Sequence, residues 1–283
     1  MTKSTVFAHY HAGVRPGVSD AVRSFIAHRE LFLEFTRRNI VTASRGSILG
    51  LGWIVFMPLL MMLLYTFVFG VVFGGRYGAL PDETGVEYAL GIFLSISVFQ
   101  LFADPMASAP TLISSTPTLV KKVVFPLEVL PAALVAAQVV RFAVSLVLVV
   151  AGALLIGRGM VGTWLWIPVL MLPLMLLSLG VTLLFSAVGV FVRDLAEISR
   201  VLSNVLLFGS GVFFSVDRLP AVAKYVLGAN PLLHLLEAFR GVLLWGRIPD
   251  ATTLIYTTVV SVGIFVAGMT CFQRLRGDFA DVI

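Results

Sequence analysis

Long uncharged apolar stretches, separated by short charged ones, set the pattern of this chain. The first stretch, GLGWIVFMPLLMMLLYTFVFGVVF at 50–73, contains no charged residue. As an α-helix its 24 residues would extend about 36 Å, enough to cross the roughly 30 Å hydrocarbon core of a bilayer with some tilt. Comparable stretches follow along the chain. We therefore predict six membrane-spanning helices, at about 50–73, 88–110, 132–156, 164–192, 201–216 and 251–272.

The second and fifth of these spans are less regular than the others. The second span meets Asp104 and Pro105, so we expect its helix to break there and to continue towards Ser114. The fifth span is short, and it follows the charged break RDLAEISR at 193–200. Both are nevertheless counted as crossings, which places the two termini on the same side of the membrane.

The composition supports the same class of protein. Hydrophobic residues make up 59% of the chain and charged residues only 12%, whereas a soluble protein carries about twice that charge. We predict an all-α integral membrane protein with a cytoplasmic N-terminal segment at 1–49, a transmembrane domain at 50–273 and a tail at 274–283. The net charge of +5 does not indicate a nucleic-acid partner, because the basic residues lie at the ends of the apolar stretches.

The distribution of lysine and arginine predicts the orientation. Cytoplasmic termini place 13 of the 20 basic residues in the cytoplasm, while the two short outer loops hold only Arg76 and Arg158. The segments 111–131 and 193–200 then face the cytoplasm, and 217–250 faces outward. The cytoplasmic set is Lys3, Arg15, Arg23, Arg29, Arg37, Arg38, Arg45, Lys121, Lys122, Arg193, Arg200, Arg274 and Arg276.

The outward stretch 217–250 is unusual for a loop. Its two apolar parts, VAKYVLG and PLLHLLEAFRGVLLWG, are each too short to cross a membrane. Asn230 and Pro231 lie between them and form a signal for a turn and a helix start. We predict a helical hairpin that dips into the outer leaflet. The alternative is a pair of amphipathic helices lying on the membrane surface.

Two predicted cytoplasmic segments are candidates for contact with a partner. The stretch SFIAHRELFLEFTRRNIVTASRG at 24–46 mixes apolar and charged residues and is too charged to span, which favours an amphipathic helix at the membrane surface. The stretch STPTLVKKVVFPLEVLP at 115–131 places Lys121 beside Lys122 in a chain that otherwise avoids charge. It is either a loop that faces water or a docking surface for another protein.

Two ionisable residues lie within predicted spans, where charge is costly and often functional. Arg141 is about ten residues into the third span, roughly 15 Å along a helix. The functional interpretation gives it an anionic partner, either Asp104 on the neighbouring helix or a passing phosphate. The structural interpretation is an ion pair that fixes helix packing. The sequence leaves both open.

Aromatic side chains recur along the first span. Tyr65, Phe69 and Phe73 follow one another at four-residue intervals, and Trp53 and Phe56 precede them. Aromatic faces along a conduit can let sugar rings slide past by stacking. The alternative is contact with lipid or with other helices.

Motifs for metal or nucleotide chemistry are weak or missing in the sequence. His234 and Glu237 would share a helix face, but two ligands without a third make a zinc site improbable, and a structural pair is favoured. The chain contains no G-x-x-x-x-G-K-[ST] phosphate loop. We therefore expect no catalytic site, no cofactor and no metal in this chain.

Four stretches in this order resemble the permease subunits of ABC-2 type exporters, especially those that export the O-antigen of lipopolysaccharide. They are RGSILGLGWIVFMPLLMMLLYTFVFG at 45–70, LVKKVVFPLEVLP at 119–131, VRDLAEI at 192–198 and NPLLHLLEAFRGVLL at 230–244. Permeases for teichoic acids and capsules are similar in plan. The resemblance implies the type V exporter fold, with an interface helix at the N-terminus and an outer gate hairpin.

The resemblance also implies partners and roles. The chain would form a homodimer in the bacterial inner membrane, among its lipids, and bind two copies of a cytoplasmic ATPase that holds ATP and magnesium. Its substrate would be a polysaccharide on undecaprenyl diphosphate. The candidate ATPase-coupling residues are Arg37, Arg38, Lys121, Lys122, Arg193, Asp194 and Glu197. The candidate conduit residues are Trp53, Phe56, Tyr65, Phe69, Phe73 and Arg141. The candidate outer-gate residues are Asn230, Pro231, His234, Glu237 and Arg240.

Two other classes of membrane protein predict different patterns. A membrane-embedded sugar transferase predicts acidic or histidine residues clustered on one membrane face, but the 15 acidic residues of this chain are scattered. An ion-coupled secondary transporter predicts inverted repeats and paired broken helices, and neither stands out in the sequence.

Overall fold

The protein is a helical bundle, described by a computed structural model over residues 28–42, 47–122, 125–157, 161–216 and 220–283. Predictions for 1–27 and 43–46, and for the Lys122 side chain, lie outside the described residues. The described chain contains twelve α-helices and no strand. They are α1 (Arg29–Thr42), α2 (Trp53–Tyr65), α3 (Gly85–Leu112), α4 (Pro117–Lys122), α5 (Val129–Leu155), α6 (Val161–Trp164), α7 (Ile167–Gly189), α8 (Leu195–Gly209), α9 (Ala221–Leu227), α10 (Pro231–Leu243), α11 (Ala251–Leu275) and α12 (Phe279–Val282).

Five helical segments are long and apolar enough to cross a membrane. The all-helical class and the multi-pass membrane character are therefore confirmed. The predicted count of six spans is not confirmed. Only 201–209 of the fifth predicted span, 201–216, is helical, as part of α8, whose 15 residues extend about 22 Å. The five segments are Gly50–Val72, Gly85–Leu112, Val129–Leu155, Gly162–Gly189 and Ala251–Val282.

Helix α3 corrects the prediction of a break at Pro105. It runs without interruption from Gly85 to Leu112, although Pro105 and Pro110 lie inside it. A proline cannot donate to the carbonyl four residues earlier, which for Pro105 is that of Leu101. The Ser178 hydroxyl on α7 donates to this Leu101 oxygen at 2.9 Å. A neighbouring helix thus supplies the missing donor, as membrane proteins commonly do.

The first span changes its helical type along its length. A short 3₁₀ turn at Gly50–Gly52 leads into α2, and a π-helical segment at Thr66–Val72 continues it. The Phe73 amide donates to the Val68 carbonyl at 2.9 Å, which is the five-residue spacing of a π-helix. None of the residues in α2 or in the π-helical segment is buried, so this span lies on the outside of the bundle.

The tightest packing in the bundle joins α7 to α11. A methyl group at Gly268 would lie 2.1 Å from the Gly180 carbonyl oxygen, and one at Gly180 would lie 2.6 Å from the Phe265 backbone. Only glycine at both positions allows the two backbones to approach this closely. The central helix α3 packs against α5, α7 and α8, so that these helices form the body on which α2 lies.

Two apolar cores lie in different parts of the bundle. The larger core surrounds α10 and includes Phe93, Leu174 and Phe239. The smaller core contains Phe125 and Phe272, and the apolar residues of α1 pack against it. The Arg276 guanidinium binds the Glu128 carboxylate at 3.0 Å beside this smaller core. The segments predicted to be cytoplasmic thus meet around one apolar cluster.

Candidate functional site

The predicted conduit aromatics lie along the first span, from α2 to the end of the π-helical segment, and form two groups. Trp53 and Phe56 meet edge to face with ring centroids 5.5 Å apart. Further along, Phe69 lies 6.1 Å from Tyr65 and 6.0 Å from Phe73. The five rings therefore do not form one continuous ladder.

The second aromatic group connects α2 to the rest of the bundle. Phe69 also contacts Phe213 at 5.9 Å, and Tyr65 contacts Phe93 at 6.5 Å. By contrast, the side chain of Phe73 is 71% exposed and that of Phe56 is 45% exposed. Tyr65 and Phe69 therefore serve partly in packing, whereas Phe56 and Phe73 face outward and are available for contact with another molecule.

A cavity of about 530 Å³ lies between α1, α2, α3 and α5. Asp104, Gln138 and Arg141 contribute its strongest polar groups. The Gln138 amide donates to Asp104 Oδ2 at 2.8 Å, and Arg141 Nη2 donates to the Asn39 carbonyl on α1 at 3.2 Å. The direct Arg141–Asp104 ion pair considered from the sequence is not formed among the described residues. Both charges instead face the same cavity.

Helix α3 presents a polar stripe that the sequence analysis did not recognise. Gln100, Asp104 and Ser108 are exposed at four-residue intervals, although most of this helix is buried. Gln100 and Asp104 also line a second cavity of about 380 Å³, on the side where Ser203 and Asn204 of α8 lie. The sequence does contain this signal, because polar residues that recur every four positions lie on one face of a helix.

Helix α10 begins at a well-formed cap. Asn230 Oδ1 accepts from the Leu232 amide at 3.0 Å, and Pro231 takes the first helical position. The Asn230 side-chain nitrogen donates to the Gly209 carbonyl at 3.2 Å, which links the start of α10 to the end of α8. The predicted turn and helix start at these two residues agree with the geometry.

The two parts of the predicted outer hairpin differ in burial. Most residues of α10 are buried among α3, α7 and α11, whereas α9 is exposed and contains no buried residue. A surface-lying pair of amphipathic helices therefore does not describe α10. The gate role of the pair remains a prediction.

Arg240 is the centre of a buried polar cluster. Its side chain is fully buried, and its Nη2 binds the Glu237 carboxylate at 2.6 Å. The guanidinium lies 4.4 Å over the ring of Tyr77 and 5.7 Å from that of Trp245. Its remaining acceptors are the Ser95 hydroxyl at 2.9 Å and the carbonyls of Gly211, Val212 and Phe214 at 2.7, 3.5 and 3.4 Å.

Tyr77 connects this cluster to the loop between the first two spans. Its hydroxyl donates to the Val212 carbonyl at 2.6 Å, and its amide donates to the buried Glu83 carboxylate at 3.0 Å. Burial raises the pKa of Tyr77 to about 12, although the neighbouring Arg240 charge acts in the opposite direction. The hydroxyl therefore stays protonated at physiological pH and remains a donor.

His234 and Glu237 do not converge on a common point. His234 Nε2 contacts the Gly228 carbonyl at 2.7 Å, and its ring meets Tyr256 edge to face at 5.4 Å. Glu237 accepts from the Ser215 hydroxyl at 2.9 Å as well as from Arg240. Both side chains thus have structural partners within the protein.

The predicted coupling residues are exposed on segments near the smaller core. Arg37 and Arg38 are exposed on α1, where Arg38 lies 4.4 Å over the ring of Phe35. Phe35 in turn contacts Phe125 at 5.4 Å, so α1 is fixed to the bundle. Lys121, Arg193, Asp194 and Glu197 are also exposed, and Glu197 pairs with Arg200 at 3.0 Å.

Sequence reasoning missed the partners that surround Arg240 on α10. Tyr77 and Ser95 contact Arg240 from distant parts of the chain, whereas Glu83 accepts from the nearby Tyr77 amide and lies beside a local signal. That signal is the sequence Thr84-Gly-Val-Glu87, a capping box in which the Thr84 amide donates to Glu87 at 2.6 Å and the Glu87 amide to Thr84 at 3.3 Å.

Comparison with known proteins gives consistent results. Residues 30–244 match the family described as ABC-2 type transporter. The chain is 26% identical over 264 residues to the O-antigen export system permease protein RfbA of Myxococcus xanthus, covering 93% of this chain and 98% of that protein. A protein of the same name from Klebsiella pneumoniae is 23% identical over 258 residues, covering 90% and 95%. The daunorubicin resistance ABC transporter permease protein DrrB1 of Streptomyces coeruleorubidus is 28% identical over 239 residues, covering 81% and 78%.

Proposed function

The chain belongs to the ABC-2 type transporter family, and from this we propose that it is the permease subunit of an ATP-driven exporter of lipid-linked polysaccharide. The observation that carries the substrate class is the near full-length similarity to two O-antigen export permeases. The substrate is a glycan on undecaprenyl diphosphate, moved from the cytoplasm to the periplasm across the inner membrane. Teichoic acid, capsule and other cell-envelope glycans are the nearest alternatives.

A homodimer gives the exposed surfaces of α2 and α8 a role. On α8, Val201, Val205 and Phe208 are each more than 60% exposed, and α2 has no buried residue. Lipid alone could cover these apolar faces. It would then also contact the polar stripe of Gln100 and Asp104 between them, and polar groups without partners in an apolar environment are costly. A second copy encloses that stripe in a conduit and leaves Phe56 and Phe73 to contact sugar rings.

Coupling to ATP is the role of two cytoplasmic ATPase subunits, which hold ATP and magnesium. They bind the exposed residues around the smaller core, and both termini of the permease are then cytoplasmic. Closure of the ATPases on ATP pushes on these segments and separates α2 and α8 across the dimer. Coupling of this kind requires contacts that differ between the two states. Helix α10, with Asn230, His234, Glu237 and Arg240, forms the outer gate.

The test of this function is isolation of a cytoplasmic ATPase with the permease and reconstitution of the two proteins. The two proteins should co-purify from native membranes, and the lipid-linked glycan should stimulate ATP hydrolysis. Changing Lys121 and Lys122 together to Glu should reduce export strongly while leaving the protein in the membrane, because it reverses the charge of the docking surface. Arg76→Glu, an exposed change in the loop between the first two spans, is the control. If no ATPase co-purifies, the proposed function is contradicted. If the double variant exports normally, the proposed coupling surface is contradicted.

A second candidate function is export of an amphipathic small molecule. It is favoured by the 28% identity to the daunorubicin resistance permease, although that similarity covers less of this chain. Transport assays in proteoliposomes separate the two functions. Drug accumulation without glycan stimulation of the ATPase would support the second candidate.

A further inference from the structure

The cavity between α1, α2, α3 and α5 combines two opposite charges with an apolar wall. Arg141 and Asp104 both line it, together with the amide of Gln138. It has a volume of about 530 Å³, which is sufficient for a lipid headgroup and the first part of its chains. The apolar part of the wall consists of Ile40, Ile54, Met57, Pro58, Leu101 and Phe142.

Both charged groups retain unused hydrogen-bonding capacity. A guanidinium has five N–H donors, and within the described chain Arg141 uses one of them, on the Asn39 carbonyl. A carboxylate has two oxygens, and among the residues that the structure describes Asp104 accepts only from Gln138, on Oδ2. A half-buried arginine and a cavity-facing carboxylate in an apolar body are costly unless a ligand completes their contacts.

The position of α1 places this cavity near the membrane surface. Arg37 and Arg38 are exposed on α1, and a helix with such a charged face lies in the headgroup region rather than in the hydrocarbon. Arg141 binds the backbone of that helix at Asn39. One side of the cavity is therefore formed by a helix that lies at the membrane surface, and the outward surface of α2 continues from the cavity into the apolar layer.

We propose that this cavity binds a phospholipid whose headgroup carries one phosphate and one primary ammonium group, with the phosphate on Arg141 and the ammonium on Asp104. The charge balance selects this class. One positive and one negative side chain match a zwitterion, whereas an anionic headgroup or a diphosphate would place added negative charge beside the Asp104 carboxylate. Gln138 holds that carboxylate in position, and the apolar wall takes the acyl chains. Asp104 also belongs to the polar stripe that the proposed conduit would enclose, so lipid binding is measured with no glycan present.

The experiment is native mass spectrometry of the purified full-length protein titrated with defined lipids. Phosphatidylethanolamine should bind at least about tenfold more tightly than phosphatidylglycerol, which lacks the ammonium group. Phosphatidylcholine should lie between them, because its quaternary ammonium cannot donate a hydrogen bond. This headgroup series uses the wild-type protein, so it does not depend on any variant folding.

Two variants assign the contacts. Arg141→Gln should weaken binding of all three phospholipids, by about tenfold or more, because it removes the phosphate partner. Asp104→Asn should bring the affinities for phosphatidylethanolamine and phosphatidylglycerol together. Lys224→Gln, on the exposed helix α9, should leave both affinities unchanged.

Three results would overturn the proposal. The first is phosphatidylglycerol binding to the wild-type protein as tightly as phosphatidylethanolamine, which would indicate an anionic lipid site. The second is inorganic pyrophosphate displacing phosphatidylethanolamine from the wild-type protein, which would indicate a site for free or lipid-linked phosphate. The third is unchanged lipid binding in both variants when their melting temperatures match that of the wild type.

Discussion

Arg240 and Arg141 are both arginines in the apolar body of the molecule, but their surroundings differ. Arg240 is fully buried and has five oxygen acceptors, one of them the Glu237 carboxylate, besides two aromatic rings. Arg141 is half-buried, has one carbonyl acceptor among the described residues and faces a cavity. Within the described protein both terminal nitrogens of Arg240 have acceptors and only its Nε has none, whereas Arg141 has a single acceptor. A structural charge is distinguished from one that can bind a ligand by the number of its partners in the protein. The position of the residue within an apolar stretch of the sequence does not distinguish them.

The largest effect is expected from removal of Arg240. Arg240→Met should lower the free energy of unfolding by about 3–5 kcal/mol, because it leaves Glu237 as an unpaired, largely buried charge. Thermal unfolding of the purified protein in detergent measures this. The double variant Arg240→Met/Glu237→Leu should recover part of the loss, since it removes both charges. A single variant as stable as the wild type would show that the cluster does not hold α10 in place.

A smaller effect is expected at the partner carboxylate. Glu237→Gln should cost about 1–3 kcal/mol, because it weakens the contacts with Arg240 and Ser215 but keeps the shape of the side chain. The matched control is Glu197→Gln, in an exposed pair with Arg200 of the same spacing, which should change stability by less than about 1 kcal/mol. Equal losses in the two variants would remove the distinction between the buried pair and the exposed pair.

Tyr77→Phe tests the ring and the hydroxyl separately. In this variant the ring remains beneath the Arg240 guanidinium, but the hydrogen bond to the Val212 carbonyl is lost. The free energy of unfolding should therefore fall by about 0.5–1.5 kcal/mol. Because the folded pKa of Tyr77 is raised from 10.0 to about 12, its contribution is complete below pH 10 and is lost as the pH rises from 10 to 12. The wild-type protein should therefore lose more stability over this range than the variant. Tyr225→Phe, at a position 88% exposed, should match the wild type in both measurements.

The smallest change in stability is expected at Arg141. Arg141→Gln should alter the free energy of unfolding by about 1 kcal/mol or less, because the residue makes one hydrogen bond within the described protein. Arg200→Gln, at an exposed position, is the control in the same melting assay. A loss comparable to that of Arg240→Met would place Arg141 among the structural charges instead.

The spans could be predicted from the sequence because each apolar run alone satisfies the length that a bilayer requires. The continuity of α3 could not, because the donor that completes the Leu101 carbonyl at Pro105 comes from Ser178, on another helix. The end of α8 at Gly209 was also missed. Its apolar run continues past that residue, and the chain stops being helical where Gly211 takes a φ of +71°.

The candidate site shows the same division between local and distant information. The helix start at Asn230 depends on its own side chain and on Pro231, so the local sequence is sufficient. The role of Arg240 depends on Ser95 and Tyr77, which lie more than a hundred residues away. Periodicity identifies which face of a helix a residue occupies, but it does not identify what the face meets.

The backbone contact between Gly180 and Gly268 has a mechanical consequence. With a separation that leaves no room for a methyl group, α7 cannot slide along α11 without driving a larger side chain into a backbone. The two helices therefore act as one rigid strut. Any rearrangement of the subunit must take place as movement of other helices relative to this strut, and α2 is one helix that has no buried residue to hold it in place.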